Sequence, residues 1–166
     1  AVQKRFVRMP RHWLFKTEPD TFSIHDLAAG KGKQTTWEGV RNYQARNLLR
    51  DEIQRGDGVL YYHSNANPMA IVGIAEVVKS GYPDHFALQT DHKYYDEAAS
   101  PEKPIWYMVD IKLVQVFPQP VTRTMLAEHP VTAQMMVLKR GSRLSVQPVT
   151  ALEWHAVLEL AGISQS

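Results

Sequence analysis

The chain has 166 residues, of which 44% are hydrophobic and 22% are charged, and its formal net charge is +2. These proportions are typical of one globular domain, and they exclude a disordered chain or a bilayer-spanning one because no apolar run reaches about eighteen residues. The small positive charge also argues against a protein that coats nucleic acid through many phosphate contacts.

The chain begins with a basic segment, residues 1–11, which we predict to be an extension ahead of the domain. It contains Lys4, Arg5, Arg8 and Arg11, and a second basic cluster contains Lys139, Arg140 and Arg143. Such clusters either contact phosphates or form a solvated surface. The segment lacks the apolar core of a signal peptide, so we expect a cytoplasmic protein, or a nuclear one in a eukaryotic cell.

The first half of the chain predicts strands and short helices in alternation. The predicted elements are a strand over 12–16, a short helix from Ser23, an amphipathic helix over 41–53, and strands over 59–63 and 70–79. Ser23 with Asp26 three residues later is typical of a helix N-terminus. Residues 70–79 are mostly β-branched or small and apolar, which favours a buried strand.

The second half predicts a long loop, one long strand and a well-capped final helix. The predicted elements are a loop over 81–104, a strand over 105–117 that ends at Pro118 and Pro120, a helix over 123–128 and a brief strand over 144–146. Thr150 and Glu153 form a capping-box pattern for the last helix, and Gly162 ends it. Leu152, Ala156 and Leu160 are predicted to form its buried stripe. This mixture predicts an α+β fold with a mixed sheet or small barrel and peripheral helices.

The sequence lacks the common motifs of catalytic sites. The sequence contains no phosphate-binding GxxxxGK[ST] loop, HExxH zinc motif or GxSxG nucleophile elbow, and it has no cysteine. Asp84-His85 and Asp91-His92, with Asp96 close behind, allow a metal-site interpretation, but their spacing matches no common site and a solvated loop explains them more simply. We therefore expect no metal, no cofactor and no catalytic residue.

Four segments together resemble the EVE domain family. They are residues 13–19 (WLFKTEP), residues 37–47 (WEGVRNYQARN), residues 56–77 with YHSN at 62–65 and IVGIAEV at 71–77, and residues 139–149 (KRGSRLSVQPV). YPD at 82–84 and WYMV at 106–109 fall between them in the expected order. The family commonly has Asp where this chain has Glu38. The resemblance covers residues 12–162, which leaves 163–166 as a C-terminal tail.

The resemblance implies a PUA-like fold, a small curved mixed β-barrel flanked by short helices, similar to the YTH, ASCH and SRA domains. It also implies a non-catalytic module that binds modified DNA or RNA and recognises a methylated or hydroxymethylated base beside an aromatic wall. Two alternatives remain: a domain that binds a small molecule, a free nucleotide or a protein partner, and, less favoured, an RNA-modifying enzyme. We expect a monomer with no membrane partner.

A base pocket requires a flat stacking surface, polar groups for the base edge and cations for flanking phosphates. The residues that could supply the pocket are Trp37, Val40, Asn42, Tyr43, His63, Ser64, Leu144 and Ser145, and those that could contact phosphates are Lys16, Arg41 and Arg143. Several of these residues have a structural alternative. Trp37 and Leu144 could be core residues, Asn42 could cap the helix that follows, His63 and Ser64 could lie in an exposed turn, and Lys16 could be a surface charge. Tyr61, Tyr62 and Trp106 are predicted to be core.

Overall fold

The computed structural model describes residues 8–163 of the chain. Lys4, Arg5 and residues 164–166 of the predicted tail lie outside the described residues. The strands are β1 (His12–Thr17), β2 (Gln34–Thr36), β3 (Gly58–His63), β4 (Ala70–Pro83), β5 (Tyr107–Thr122) and β6 (Val146–Val149). The α-helices are α1 (Pro19–Phe22), α2 (Ile24–Ala29), α3 (Tyr43–Asn47), α4 (Arg123–Glu128) and α5 (Ala151–Leu160), and α3 continues as a π-helical turn over Leu48–Glu52.

The six strands form one mixed sheet with the order β2-β5-β4-β3-β1-β6. Only β1 and β3 run parallel, and every other neighbouring pair is antiparallel. Within residues 8–163, β2 and β6 are the two edges of this sheet, so hydrogen bonding does not close it into the expected barrel. The short helices flank the sheet as predicted. In that same range no helix is both long enough and apolar enough to cross a bilayer.

The strand alternation divides the buried side chains between the two faces of the sheet. Trp13, Phe15 and Tyr61 belong to one core, together with Trp37 and residues of α2 and α3. Leu14 and Tyr62, their neighbours in sequence, belong to the other core, which α4 and α5 cover. Successive side chains of a strand point to opposite faces, so the consecutive buried residues at the centre of a short strand contribute to two cores at once.

The prediction that Pro118 and Pro120 end the fifth strand is wrong. β5 continues through both prolines to Thr122. The register shows how the sheet tolerates them: β4 residues Ile71 and Gly73 pair with Val121 and Val116, so the prolines lie in an irregularity where β5 has extra residues. A proline lacks the N–H of a ladder hydrogen bond, and a bulge is one of the few strand positions where none is needed.

The last helix has the predicted ends but a different buried face. The capping box of Thr150 and Glu153 is present, and Gly162 adopts the left-handed φ of +73° that ends many helices. Of the predicted buried stripe, Ala156 is buried and Leu160 is half-buried, but Leu152 is 73% exposed. Val157 and Leu158 are buried with Ala156. The preceding strand also starts later than predicted, at Val146 rather than at residue 144.

Asp57, in the turn before β3, is a buried carboxylate that binds Arg8 and Arg11, which precede β1. Both Arg8 guanidinium nitrogens donate to it, at 2.6 and 3.0 Å, and the Arg11 backbone N–H donates at 3.0 Å. The Trp13 indole N–H and the Gln54 backbone N–H complete its contacts. Arg8 and Arg11, two of the four basic residues in the first predicted cluster, therefore lie beside this turn, and Arg8 is in an ion pair.

A hydroxyl in the second core lacks a partner. Tyr62 is 2% exposed, and its hydroxyl has no hydrogen bond within residues 8–163. We expect Tyr62→Phe to leave the free energy of unfolding unchanged or to raise it by about 1 kcal/mol, because the variant no longer desolvates an unpaired hydroxyl.

Tyr61→Phe is the matched control, since the Tyr61 hydroxyl donates to the Phe22 carbonyl at 2.8 Å. Removing that bond should lower the free energy of unfolding by about 1 kcal/mol. Urea unfolding of both variants measures the difference. Equal destabilisation by the two substitutions would show that the Tyr62 hydroxyl is paired in solution.

Candidate functional site

Trp37 follows β2 and is at once a core residue and the wall of a cavity. Its ring is tilted on Phe15, with centroids 5.3 Å apart, and meets Tyr61 edge-on at 5.5 Å. Trp37 is only 7% exposed, so most of its surface is packed in the core, as its structural alternative proposed. The remaining surface lines two adjoining cavities. Packing on one side therefore fixes the indole in place for contact on the other.

The larger cavity, which we call the Trp37 cavity, has a volume of about 300 Å³. Its lining includes seven of the eleven residues that the sequence predicted: Lys16, Trp37, Val40, Arg41, Asn42, Arg143 and Ser145. Thr17, Glu38, Gly39 and Tyr94 complete it. The volume lies at the lower end of the range for ligand pockets, about 300–1,000 Å³, which suits one nucleobase better than a whole dinucleotide.

The smaller cavity, which we call the threonine recess, has a volume of about 110 Å³. It shares Thr17, Trp37, Glu38 and Tyr94 with the Trp37 cavity and is otherwise lined by Thr21, Phe22, Thr35, Thr36 and Lys93. The four threonines offer hydroxyl and methyl groups together. The recess can therefore accommodate either a small polar or a small apolar substituent.

Gly39 lets the Tyr94 ring approach the chain directly after Trp37. Gly39 has a φ of +84°, and a Cβ at this position would lie 2.3–2.6 Å from three atoms of the Tyr94 ring. Its N–H donates to the buried Asp84 carboxylate at 2.9 Å. A side chain at residue 39 would thus meet both an unfavourable backbone conformation and an occupied volume.

Arg41 lines the Trp37 cavity, but its guanidinium group is bound by the protein. It donates to Asp84 at 3.0 Å and to the Tyr94 carbonyl at 2.7 Å. Its guanidinium carbon also lies over the Tyr94 and Trp106 rings, 5.4 and 5.2 Å from their centroids. This geometry favours a positioning role for Arg41, which ties the loop of Tyr94 to the start of α3, over the phosphate contact that the sequence suggested.

Lys16 and Ser145 come together because β1 continues past its pairing with β6. The Lys16 backbone N–H donates to the Ser145 carbonyl at 2.7 Å, and the Lys16 ammonium lies 3.5 Å from the Ser142 carbonyl. Burial, helped by the charge of Arg123, lowers the pKa of Lys16. Arg143, in the same loop as Ser145, is exposed. Two cations thus border the Trp37 cavity from segments far apart in sequence.

Asn42 and Tyr43 take roles at the start of α3. The Asn42 side chain caps the helix by accepting from the Ala45 N–H at 2.9 Å, as its structural alternative proposed. The amide still lines the Trp37 cavity. Tyr43 is 61% exposed and stacks on Trp106, with centroids 5.0 Å apart, along a different groove. The structure therefore does not bring Tyr43 to Trp37.

His63, Ser64 and Leu144 also lie away from the two cavities. The His63 Nε2 accepts from the Ile24 N–H at 3.1 Å, and burial with the nearby His25 lowers the pKa of His63, which suits a neutral acceptor. The Ser64 N–H donates to the Thr17 carbonyl at 2.9 Å and so extends the β1–β3 ladder. Leu144 packs against the core that contains Trp37.

Sequence reasoning missed the contribution of the loop after β4. Asp84 and Tyr94 lie in the segment over 81–104 that is predicted to be a long loop, yet they shape the site at Gly39 and Arg41. The motif YPD at 82–84 was a signal for Asp84, whereas nothing local distinguished Tyr94 from Tyr95. Asp96, considered for a metal site, accepts instead from the Trp106 indole at 2.7 Å. Across residues 8–163 no three His, Asp or Glu side chains are grouped to hold a metal.

Curated relatives match this chain over most of its length. Human thymocyte nuclear protein 1 is 38% identical, and the match covers 96% of this chain and 78% of the human protein. The chicken protein of the same name is 39% identical over 90% of this chain and 68% of its own.

Solved structures show the same fold. A Pseudomonas syringae protein is 44% identical with a TM-score of 0.84, covering 90% of this chain and 99% of its own. Human thymocyte nuclear protein 1, solved in complex with 5-methylcytosine-containing DNA, is 36% identical with a TM-score of 0.84, covering 93% and 99%. A Zygosaccharomyces rouxii YTH domain, solved with N6-methyladenosine RNA, shares only the fold, at 16% identity and a TM-score of 0.52, covering 98% and 96%. The EVE domain model matches residues 11–160, and the chain therefore belongs to the EVE domain family.

Proposed function

We propose that this protein is a non-catalytic reader of modified nucleic acid, which takes one extruded methylated or hydroxymethylated base into the Trp37 cavity. The observation that carries this proposal is the cavity itself: about 300 Å³ beside a rigid indole, bordered by cations. The human relative solved with 5-methylcytosine-containing DNA supports DNA as the partner. An extruded base needs a stacking surface and polar edge contacts, and this cavity offers both.

The aromatic surfaces of the cavity supply the base contact. Trp37 and Tyr94 both line it, and stacking on an aromatic ring contributes about 1–3 kcal/mol per base. The Ser145 hydroxyl and the Asn42 amide are available near the base edge. The adjoining threonine recess is open to a substituent on the base, so a methyl group gains about 0.8 kcal/mol there, or about fourfold in affinity. A hydroxymethyl group can add a hydrogen bond to a threonine hydroxyl.

A titration with three duplexes tests base reading. The duplexes carry cytosine, 5-methylcytosine or 5-hydroxymethylcytosine at one position and are otherwise identical. We expect binding of at least one modified duplex to exceed that of the plain duplex about fourfold or more. Tyr94→Ala should reduce this ratio, whereas Tyr43→Ala, which removes an exposed aromatic ring outside the cavity, should not. Equal, salt-dominated binding of all three duplexes by the wild-type protein and both variants would contradict base reading.

The phosphate contribution is predicted to be separable from base reading. Arg143→Ala should weaken binding of modified and plain duplexes alike and should reduce the slope of log affinity against log salt by about 0.9, the value for one phosphate contact. Arg140→Ala is the matched control, because Arg140 is exposed in the same loop but does not line the cavity. A change in the modified-to-plain ratio with Arg143→Ala would instead place Arg143 at the base.

Free nucleosides distinguish this proposal from its main alternative. The net charge of +2 is small for a nucleic-acid-binding protein, and this favours a small-molecule ligand as the second candidate. Binding of a free modified nucleoside as tight as binding of the duplex would support that candidate. We further expect a monomer that acts where nucleic acid resides, in the cytoplasm or, as the name of the vertebrate relatives suggests, in a nucleus.

A further inference from the structure

We infer that Glu38 determines which base edge the cavity accepts, and that it selects an amino base of the cytosine type over a keto base of the thymine type. This inference rests on the proposed function and assigns the chemistry of the base edge within it. Glu38 immediately follows the indole wall and lines both the Trp37 cavity and the threonine recess. The inferred role is that its carboxylate binds the edge of a base held in the Trp37 cavity.

The charge of Glu38 distinguishes it from every other described residue that lines the two cavities. Among the described residues that line the two cavities, Glu38 carries the one carboxylate, and Lys16, Arg41, Arg143 and Lys93 carry positive charges. Phosphates are attracted towards the exposed cations and repelled by Glu38. A bound nucleotide is thereby oriented with its base edge towards the carboxylate and its backbone towards Arg143.

The hydrogen bonding of Glu38 leaves one oxygen for a ligand. The Thr36 hydroxyl donates to Oε2 at 2.7 Å, which holds the side chain in one orientation. No hydrogen bond within residues 8–163 uses Oε1. Glu38 is half-buried and lines both cavities, and its inferred role uses this second oxygen.

An ionised carboxylate accepts hydrogen bonds and donates none. It can accept from the exocyclic amino group of cytosine, which is the pairing that Glu and Asp make with that base. The O4 of thymine would face the same oxygen as a second acceptor, so the two groups would repel each other and both would be desolvated without a partner. A site built on an unpaired acceptor rejects such an analogue far more sharply than an apolar wall rejects a missing methyl group.

5-Methylcytosine and thymine form a matched pair of probes for this inference. They share the methyl group and the ring size and differ in the amino or keto group at C4, with the accompanying change at N3. Each is placed opposite an abasic site in an otherwise identical duplex, so that no base-pairing energy differs between them. A third duplex with cytosine at that position isolates the methyl group.

We expect the wild-type protein to bind the 5-methylcytosine duplex about tenfold or more tightly than the thymine duplex. In Glu38→Gln the amide oxygen can accept from Thr36 and its NH₂ can donate to the thymine O4. The preference should then fall to about threefold or less, with thymine binding strengthened. Glu97→Gln removes a carboxylate from an exposed position of the loop that carries Tyr94, and it should leave the preference unchanged. Thermal unfolding verifies that each variant is folded.

The outcomes separate this inference from the proposed function. Equal binding of 5-methylcytosine and thymine by the wild-type protein, with 5-methylcytosine still preferred over cytosine, overturns the role of Glu38 and leaves base reading intact. An unchanged preference in Glu38→Gln overturns it as well. Equal binding of all three duplexes overturns the proposed function itself.

Discussion

Replacing Gly39 with alanine is expected to lower affinity for a modified duplex about tenfold or more. The new methyl group would lie 2.3–2.6 Å from three atoms of the Tyr94 ring, so the ring has to move. Tyr94 lines both cavities, and the loss of one stacking surface is worth about 1–3 kcal/mol. Titration of wild-type and variant proteins with the 5-methylcytosine duplex measures the loss.

Gly162→Ala is the matched control for backbone strain. Gly162 has a φ of +73°, close to that of Gly39, but a Cβ there meets nothing within 4 Å. Gly162→Ala should destabilise the fold by about 1–2 kcal/mol, the cost of a left-handed conformation for an L-residue, and Gly39→Ala by that amount plus the cost of the clash with Tyr94. Only Gly39→Ala should alter binding. Unchanged affinity in Gly39→Ala would show that Tyr94 is not part of the binding surface.

A second background tests the steric explanation directly. In Tyr94→Ala the ring that a Cβ at residue 39 would meet is absent. Adding Gly39→Ala to that variant should therefore leave only the strain that Gly162→Ala also shows. A larger loss of stability in the double variant would place the clash elsewhere.

Replacing Asp57 with asparagine is expected to produce a large loss of stability, about 2–3 kcal/mol, because the NH₂ group of the amide faces N–H donors that then lack an acceptor. Three donors, Arg8 Nη2, Trp13 Nε1 and the Gln54 N–H, point at the Oδ2 atom. An asparagine side chain has the same shape, but it provides one acceptor atom where the carboxylate provides two. Urea unfolding at neutral pH measures the difference. Asp51→Asn, which alters an exposed pair with the adjacent Arg50, should leave the free energy of unfolding nearly unchanged.

The same carboxylate predicts an acid dependence. Burial alone would raise the pKa of Asp57, but the hydrogen bonds from Arg8, Gln54, Trp13 and Arg11 outweigh burial and lower it. A carboxylate whose pKa is lower in the folded state stabilises the fold above its unfolded pKa, about 3.9, and this stabilisation is lost as pH falls through the folded value. The stability gap between wild-type protein and Asp57→Asn should therefore narrow below about pH 4. A gap that is constant from pH 7 to pH 3 would contradict an ionised Asp57.

Much of the architecture was predictable because its signals are local. The capping boxes of Ser23 and Thr150, and the apolar runs of β1, β3 and β4, each lie within a few residues, and all appear in the structure. The errors arose where the sheet overrides local preference. Pro118 and Pro120 read as strand breakers, yet an irregularity in the β4–β5 register accommodates them.

The sequence patterns at 37–47 and 139–149 predicted which segments form much of the Trp37 cavity. They did not predict which side chains of those segments face it. Trp37, Arg143 and Ser145 line the cavity, whereas Tyr43 and Leu144, from the same segments, point elsewhere. Neighbouring side chains diverge in both helices and strands. A sequence motif therefore identifies the segment that borders a site, but it does not identify which of its side chains contact the ligand.

By itself the sequence determined the family, the elements that local signals specify and the segments that border the cavity. The tertiary structure decided which residues complete the cavity region. These are Asp84 and Tyr94, which are 45 and 53 residues from their partners Gly39 and Arg41. It also assigned Arg41 and His63 to protein contacts. The physical reason is that a hydrogen bond or a ring contact depends on distance in space. The loop that carries Asp84 and Tyr94 has no periodicity, so its sequence does not predict which distant residues it contacts in the folded protein.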